Sequence, residues 1–178
     1  MEITIRKEEK GDFKTVFELI RSAFENEELS DHKELFFVER LRSSNAFVPE
    51  LSIFAQTNNQ IVGYLLLTKI MIEDTHKNSY TSLALAPVAV LPAFQGKGIG
   101  GKLIQAAHDK AKKLGFGSVV LLGHENYYPK FGYKLTKEFE IKLPFEVPED
   151  NCMAIELLKN ALQNVSGVVR YPKEFEIE

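Results

Sequence analysis

Phe94 to Leu103 reads F-Q-G-K-G-I-G-G-K-L, and three different phosphate-binding loops can be spelled from it. Gly96, Gly98 and Gly101 make G-x-G-x-x-G, the spacing of a dinucleotide fold. Gly96 to Lys102 make G-x-x-x-x-G-K, a P-loop short of its last residue. Gln95, Gly98 and Gly100 make a third pattern, Q-x-x-G-x-G. The glycines alone do not choose among them; the flanking sequence does.

A dinucleotide fold needs its first glycine directly at a strand end and an acidic residue about 20 positions on, at the tip of the next strand. Here Leu91 to Gln95 intervene, the next strand ends in L-L-G-H with Glu125 beyond its tip, and only one short helix follows. A second mononucleotide-binding half has no sequence to form it. The P-loop needs a Ser or Thr hydroxyl for magnesium after its lysine, and Leu103 stands there instead. No apolar strand ending in Asp supplies the other magnesium contact that phosphoryl transfer requires. The third pattern fits its surroundings: a strand (83–91), a short turn, then glycines that open a helix. Backbone N–H groups at such a helix start have no intrahelical acceptor, and with the positive dipole end they bind a pyrophosphate. Glycines let phosphate oxygens approach the backbone.

The helix runs from about Gly98 to Leu114. Ile99, Leu103, Ala107, Ala111 and Leu114 fall on one face, and Lys110, Lys112 and Lys113 oppose the dipole before Gly115 closes it. Upstream, Ile3 and Ile5 suggest a short edge strand, and Phe13 to Phe24 an amphipathic helix opened by Gly11-Asp12. A second helix is expected from a Ser30-Asp31 cap through Leu41, then strands over 51–55 and 61–72, the latter ending in a polar turn near 73–78. Pro87 interrupts pairing in the strand over 83–91. Strands are expected at 118–122, at 139–143 (half-solvated and antiparallel) and at 152–158, with a further helix between the first two. The order is β-α-α-β-β-β-α-β-α-β-β, an α/β (α+β) chain. It predicts a single mixed sheet with helices on both faces. Residues 1–158 form one domain in this reading, and 159–178 a loop-rich tail packed on it.

The 178 residues include 44% hydrophobic and 26% charged residues, ordinary for a packed globular domain. A net charge of -3 gives no footprint for nucleic acid. The N-terminus lacks a signal-peptide h-region and no apolar run approaches bilayer length, so neither export nor a membrane is expected. With one cysteine, Cys152, no intrachain disulfide forms, and a cytoplasmic location fits. No His/Cys/Asp/Glu cluster has metal-ligand spacing, so no metal is expected.

The run A-P-V-A-V-L-P-A-F-Q-G-K-G-I-G-G-K-L-I (Ala86 to Ile104) resembles the acetyl-CoA motif of the GNAT (GCN5-related N-acetyltransferase) family, in sequence and in strand-loop-helix context. N-Y-Y-P-K-F-G-Y (Asn126 to Tyr133) resembles that family's Tyr-x-x-x-Gly-(Phe/Tyr) segment, at the expected distance and in the expected order. Together with G-H-E before it and V-S-G-V-V-R-Y-P in the tail, it is similar to the YhbS-type predicted acetyltransferases. The resemblance spans the chain to about Leu158.

The resemblance implies a GNAT-like acyl-CoA N-acyltransferase fold, whose mixed sheet is mostly antiparallel and splayed at the cofactor strand, with acetyl-CoA as cosubstrate and direct attack of a small-molecule or peptide amine on the thioester. By it, Val88, Ala89 and Val90 match the strand whose backbone pairs with the pantetheine arm, with an N–H near Val88 facing the thioester oxygen. Gln95, Gly96, Lys97, Gly98, Ile99 and Gly100 match the pyrophosphate loop, with Gly101 close to it. Asn126 would contact the pantetheine amides. Tyr128 matches the tyrosine that protonates the departing thiolate; Tyr127 is its rival. The segment Gly123-His124-Glu125-Asn126 is shorter than the usual Asn-x-x-Ala-x-x-x-Tyr, and it places His124 where an imidazole would relay a proton. Glu50, Glu73, Asp74 and Glu125 are the candidate general bases. Homodimers occur among relatives. The alternatives are a non-catalytic acyl-CoA-binding module and a transferase for longer acyl groups or hydroxyl acceptors.

Overall fold

The computed structural model describes residues 1–28 and 30–175. The tail of the sequence reading therefore lies partly outside it, at 176–178. In chain order the elements are β1 (Thr4–Lys7), α1 (Phe13–Phe24), α2 (Glu34–Arg42), β2 (Phe47–Thr57), β3 (Gln60–Glu73) and β4 (Ser79–Val90). They continue as α3 (Ile99–Lys113), β5 (Ser118–Leu122), β6 (Lys134–Leu135), β7 (Ile141–Lys142), β8 (Cys152–Glu156) and β9 (Gly167–Arg170). The sheet runs β1-β2-β3-β4-β5-β8-β6, with β9 paired to β3 and to β7. The β1–β2, β3–β9, β5–β8 and β6–β8 pairs are antiparallel, and β4–β5 and β7–β9 are parallel. This is the mixed sheet that the element order predicts, mostly antiparallel as the resemblance implies.

The chain divides into two compact units, one of Met1–Leu67 with Ala86–Lys110, the other of Thr68–Leu85 with the chain from Ala111 onward. In the first unit, adjacent residues of β3 show why helices lie on both faces. Side chains alternate along a strand. Gly63 faces α3: a Cβ there would sit 3.0 Å from both Ile99 Cγ2 and Leu103 Cδ1. Tyr64 faces the other way, and its hydroxyl lies 2.8 Å from Ser52 Oγ, which donates to Glu8 Oε2 at 2.6 Å. Arg42, the last residue of α2, closes that network with an ion pair to Glu8 and stacks over the Phe13 ring at 4.0 Å. Glu8, Ser52 and Tyr64 are buried. Burial and the Glu8 charge push the Tyr64 phenol up.

In the second unit the core joins Ile70 and Ile72 of β3, Ala84 of β4, Val120 of β5, Ala154 of β8 and Val169 of β9, with Ile141 and Leu162. The tail is thus part of the sheet: β9 aligns Val169 with Ile72 and Arg170 with Met71. Burying Val169 and Leu162 gives its residues a reason to order.

Three local expectations change. The stretch after β5 forms a 3-10 turn, Tyr128–Phe131, where an α-helix was expected. Pro129 and Gly132, which adopts φ +101, hold it to one turn. The alternation at Phe139, Ile141 and Leu143 is a 3-10 turn (Thr136–Phe139) and a two-residue strand that pairs in parallel with β9. Phe139 and Leu143 reach the same core as Ile141 from irregular backbone, so their spacing mimics a strand. Ser30 and Asp31 do not cap α2, which begins at Glu34. They accept hydrogen bonds from the backbone of His32 and Lys33 in the turn before it, and Ser30 Oγ donates to Glu34.

Candidate active site

β4 ends at Val90, and the backbone N–H of Leu91 donates to the Val62 carbonyl at 2.9 Å, fixing the chain as it leaves the sheet. A 3-10 turn, Pro92–Phe94, follows. Gln95 Nε2 reaches back to the Val90 carbonyl at 3.1 Å, so this side chain braces the loop against its own strand. Gly96 and Gly98 adopt φ +73 and +78, the left-handed region in which an L side chain is strained. A Cβ at either would meet nothing within 4 Å. The glycines are therefore required by the path of the backbone and leave open space above it, a cradle where an anion can approach.

The helix starts inside this loop. Lys102 N–H donates to the Gly98 carbonyl at 3.1 Å, the first helical bond, which leaves the N–H groups of Ile99, Gly100 and Gly101 without i−4 acceptors inside the helix. Ile99 is buried and holds the turn down, while Lys97 lies with its ammonium 5.1 Å from the Phe94 ring centroid. Val88, Ala89 and Val90 lie on the last stretch of β4, with Ala89 buried. The β4–β5 ladder forms at Leu83–Val119 and Ala84–Val120, upstream of Pro87, which carries no N–H.

Gly63 belongs to this site and is missed by the sequence reading. Besides its approach to Ile99 and Leu103, its absent Cβ would stand 3.3 Å from the Ala89 carbonyl. A glycine inside a strand often marks such a close approach, and I-V-G-Y-L was the available signal.

The tyrosine segment lies in the second unit. Tyr128 begins the 3-10 turn, and its ring packs on Gly123, where a Cβ would overlap it. It meets Tyr127 and Tyr133 edge-on, with ring centroids 5.0 and 5.7 Å apart. The residue at 132 must take a positive φ, and a Cβ there would be 3.2 Å from Ile155 Cδ1. The Tyr-x-x-x-Gly-Tyr spacing is thus a structural unit: a turn from Tyr128, a left-handed exit at Gly132 and a buried Tyr133 against the first ring. Burial, with the neighbouring Tyr127, pushes the Tyr128 phenol up to about 12. Tyr127 is raised by burial as well, and it carries the Lys130 ammonium 4.1 Å from its ring centroid.

His124, Glu125, Asn126 and Tyr127 line a cavity of about 450 Å³ with Asp150 and Asn151. His124, Glu125 and Asn126 are exposed. Asn151 ties this wall to β5 by two bonds, Gly123 N–H to its carbonyl at 2.9 Å and its Nδ2 to the Gly123 carbonyl at 3.0 Å. Two of the candidate bases take part in local hydrogen bonds and ion pairs. Asp74 accepts from the backbone of His76 and Asn78 and from Asn78 Nδ2, all at 2.9 Å. Glu73 pairs with Lys77 at 3.2 Å and Arg170 at 3.5 Å, and Lys77 lowers its pKa first. Among the described residues, no group of three or more His, Cys, Asp or Glu is placed to hold a metal ion, and no helix is long and apolar enough to cross a membrane.

Residues 13–133 match the sequence model of the Acetyltransferase (GNAT) family. The chain belongs to that family. It is 29% identical over 141 residues to the uncharacterized N-acetyltransferase YjhQ of Escherichia coli K12, covering 78% of this chain and 77% of that one. It superposes on the crystal structure of E. coli YhbS in complex with CoA with a TM-score of 0.87 and 25% identity, over 98% of this chain and 92% of that one. A GNAT acetyltransferase of Brucella melitensis, solved with acetyl-CoA, gives a TM-score of 0.81 and 28% identity over 98% and 99%. The GNAT sheet and its three helices are therefore the fold of this chain.

Proposed function

We propose that this GNAT chain is an N-acetyltransferase that moves the acetyl group of acetyl-CoA to a primary amine by direct attack. The observation that carries the reading is the loop at the start of α3. Two glycines with positive φ and open space above them precede a helix turn whose first N–H groups lack intrahelical acceptors. That is a pyrophosphate cradle in chemical terms, and crystal structures of two similar proteins hold CoA and acetyl-CoA.

In this reading Gly96 to Gly101 bind the pyrophosphate through backbone N–H groups, and Lys97 adds charge. Gln95 keeps the loop in place through the Val90 carbonyl. Val88 to Val90 offer backbone to the pantetheine arm, with the Val88 N–H directed at the thioester oxygen, where it would stabilise the developing oxyanion. The neutral amine forms a bond to the carbonyl carbon, the carbon–sulfur bond breaks, and the amine's surplus proton passes to solvent. The departing thiolate takes the proton of the Tyr128 hydroxyl, and the phenolate is reprotonated from water. An acid serves only while protonated; a phenol at its ordinary value near 10 is protonated across the physiological range, and burial moves that of Tyr128 further up. His124 and Asn126, on the wall beside Tyr127, are assigned to proton relay and to the pantetheine amides.

Thermal unfolding with acetyl-CoA, CoA, ATP-Mg and NAD in parallel tests the reading. A ligand at 100 times its Kd stabilises by about 2.7 kcal/mol. Stabilisation by acetyl-CoA and CoA alone is expected. A shift with ATP-Mg or NAD and none with the CoA compounds would sink it.

A further inference from the structure

Asn151 stands opposite Gly123, one step beyond the β5–β8 ladder in which Leu121 pairs with Met153 and Leu122 with Cys152. A regular antiparallel pair at this step would exchange two backbone bonds. The first is present, from the Gly123 N–H to the Asn151 carbonyl at 2.9 Å. The donor for the second is engaged elsewhere: the Asn151 N–H donates to the Pro148 carbonyl at 3.0 Å, in the 3-10 turn Glu149–Asn151. Asn151 Nδ2 takes its place and donates to the Gly123 carbonyl at 3.0 Å. The side chain thus carries the ladder one residue further than the backbone does. An ionised Asp of the same size can only accept, and Ala can do neither.

Gly123 is also the floor under Tyr128. A Cβ there would lie 2.9 Å from Tyr128 Cδ2 and closer still to Cε2, so the ring rests directly on the glycine backbone. The Tyr127 N–H donates to the His124 carbonyl at 3.1 Å, closing the turn between that glycine and the ring it carries. At its far end the same segment returns to β8, where a Cβ on Gly132 would stand 3.2 Å from Ile155 Cδ1. The stretch 123–133 is therefore set at one end by Asn151 and at the other by Ile155. Between these ends Tyr127 and Tyr133 meet the Tyr128 ring edge-on. The Asn151 amide fixes the Gly123 carbonyl, and with it the peptide on which the ring lies.

We propose that Asn151 is a positioning residue: its amide fixes Gly123, and Gly123 fixes where the Tyr128 hydroxyl stands toward the departing thiolate. The proposal rests on the acetyl-transfer reading with Tyr128 as its acid. Asn151 touches neither thioester nor amine in this role and acts through the glycine and the ring. A displacement of about 1 Å can cost a reaction about 10²-fold. A loosened seat for the ring therefore slows the chemical step and leaves the binding of acetyl-CoA as it was.

Asn151→Ala and Asn151→Asp are compared with the wild type, alone and combined with Tyr128→Phe. Turnover of acetyl-CoA is measured as CoA formed, with a fixed concentration of hydroxylamine as a small neutral acceptor and the uncatalysed rate subtracted. Each single variant is expected to lower kcat and kcat/KM together by about tenfold, with KM for acetyl-CoA and the stabilisation it gives unchanged. In the Tyr128→Phe background the same substitutions should cost less than about twofold, because the group they position is gone. An equal fall in both backgrounds, a change confined to KM, or wild-type turnover in either single variant would overturn the proposal. A second measurement follows the ring without turnover. In the wild type Tyr128, its phenol pushed up by burial, is expected to ionise only in step with loss of far-UV circular dichroism. Absorbance at 295 nm should show one more phenol ionising before that loss in Asn151→Ala, and not when Tyr128→Phe is added. The proposal falls if Asn151→Ala matches the wild type in this count. If acetyl-CoA fails to stabilise the wild type, or Tyr128→Phe turns over normally, the acetyl-transfer reading or its acid falls by itself. The titration then still decides whether Asn151 sets the Tyr128 ring.

Discussion

Tyr128 is the residue on which chemistry and structure make different demands. Its ring packs on Gly123 and Tyr133, and in the proposed reaction its hydroxyl gives up a proton. Tyr128→Phe separates the two, since it keeps the ring and removes the proton. Turnover is expected to fall about 10²-fold, the low end for a general acid, while acetyl-CoA stabilises the variant as it does the wild type. Tyr127→Phe should leave turnover within a few-fold; if the two variants change places, Tyr127 is the acid. The raised phenol sets the pH profile too. An ordinary tyrosine loses its proton near pH 10, whereas Tyr128, with a value of about 12, stays protonated beyond it. Wild-type kcat should then show no alkaline fall between pH 9 and 10 attributable to the acid, measured within the range where circular dichroism is unchanged.

At the scale of elements, the seat of α3 on β3 is the contact that aims the helix start. Gly63 allows it by having no side chain against Ile99, Leu103 and the Ala89 carbonyl. Gly63→Val would overpack that seat. Destabilisation of about 1–3 kcal/mol is expected from the urea midpoint, together with weaker binding of acetyl-CoA by calorimetry, because the helix must move away from the strand. A variant that loses stability but binds acetyl-CoA unchanged would show the loop to be independent of this seat. This pairing also explains what the sequence discloses. The loop and α3 are legible because clustered glycines and a periodic apolar face are both local signals, and so is the Tyr-x-x-x-Gly-Tyr spacing that starts at Tyr128. Gly63 is not, since its meaning lies in residues far along the chain. Nor is β7, whose two residues pair with a strand in the tail while Phe139 and Leu143 imitate its alternation.

The whole molecule combines polar groups taken out of water with a hydrocarbon core, and this gives it a definite response to charge. In the first unit Arg42 holds the buried Glu8, and Arg42→Met would strand that carboxylate. A loss of about 3–5 kcal/mol is expected by urea unfolding, and loss of less than about 1 kcal/mol would mean that water reaches Glu8. Both units also bury phenols. Tyr64, Tyr133, Tyr128 and Tyr171 are all pushed up by burial, the last two to about 12. Because these values lie above that of a phenol in an unfolded chain, the native state keeps protons that the unfolded state has released. Their contribution to stability is whole below about pH 10 and is lost as pH rises toward and past 12. Alkaline unfolding should therefore be steep over that interval. Absorbance at 295 nm is expected to show the exposed phenols ionising first and the buried ones only in step with loss of far-UV circular dichroism. Ionisation of all six tyrosines before any loss of dichroism would mean that solvent reaches these rings in the native state. The packing of Tyr128 against Gly123 and Tyr133 would then be too loose to raise its phenol above the ordinary value near 10.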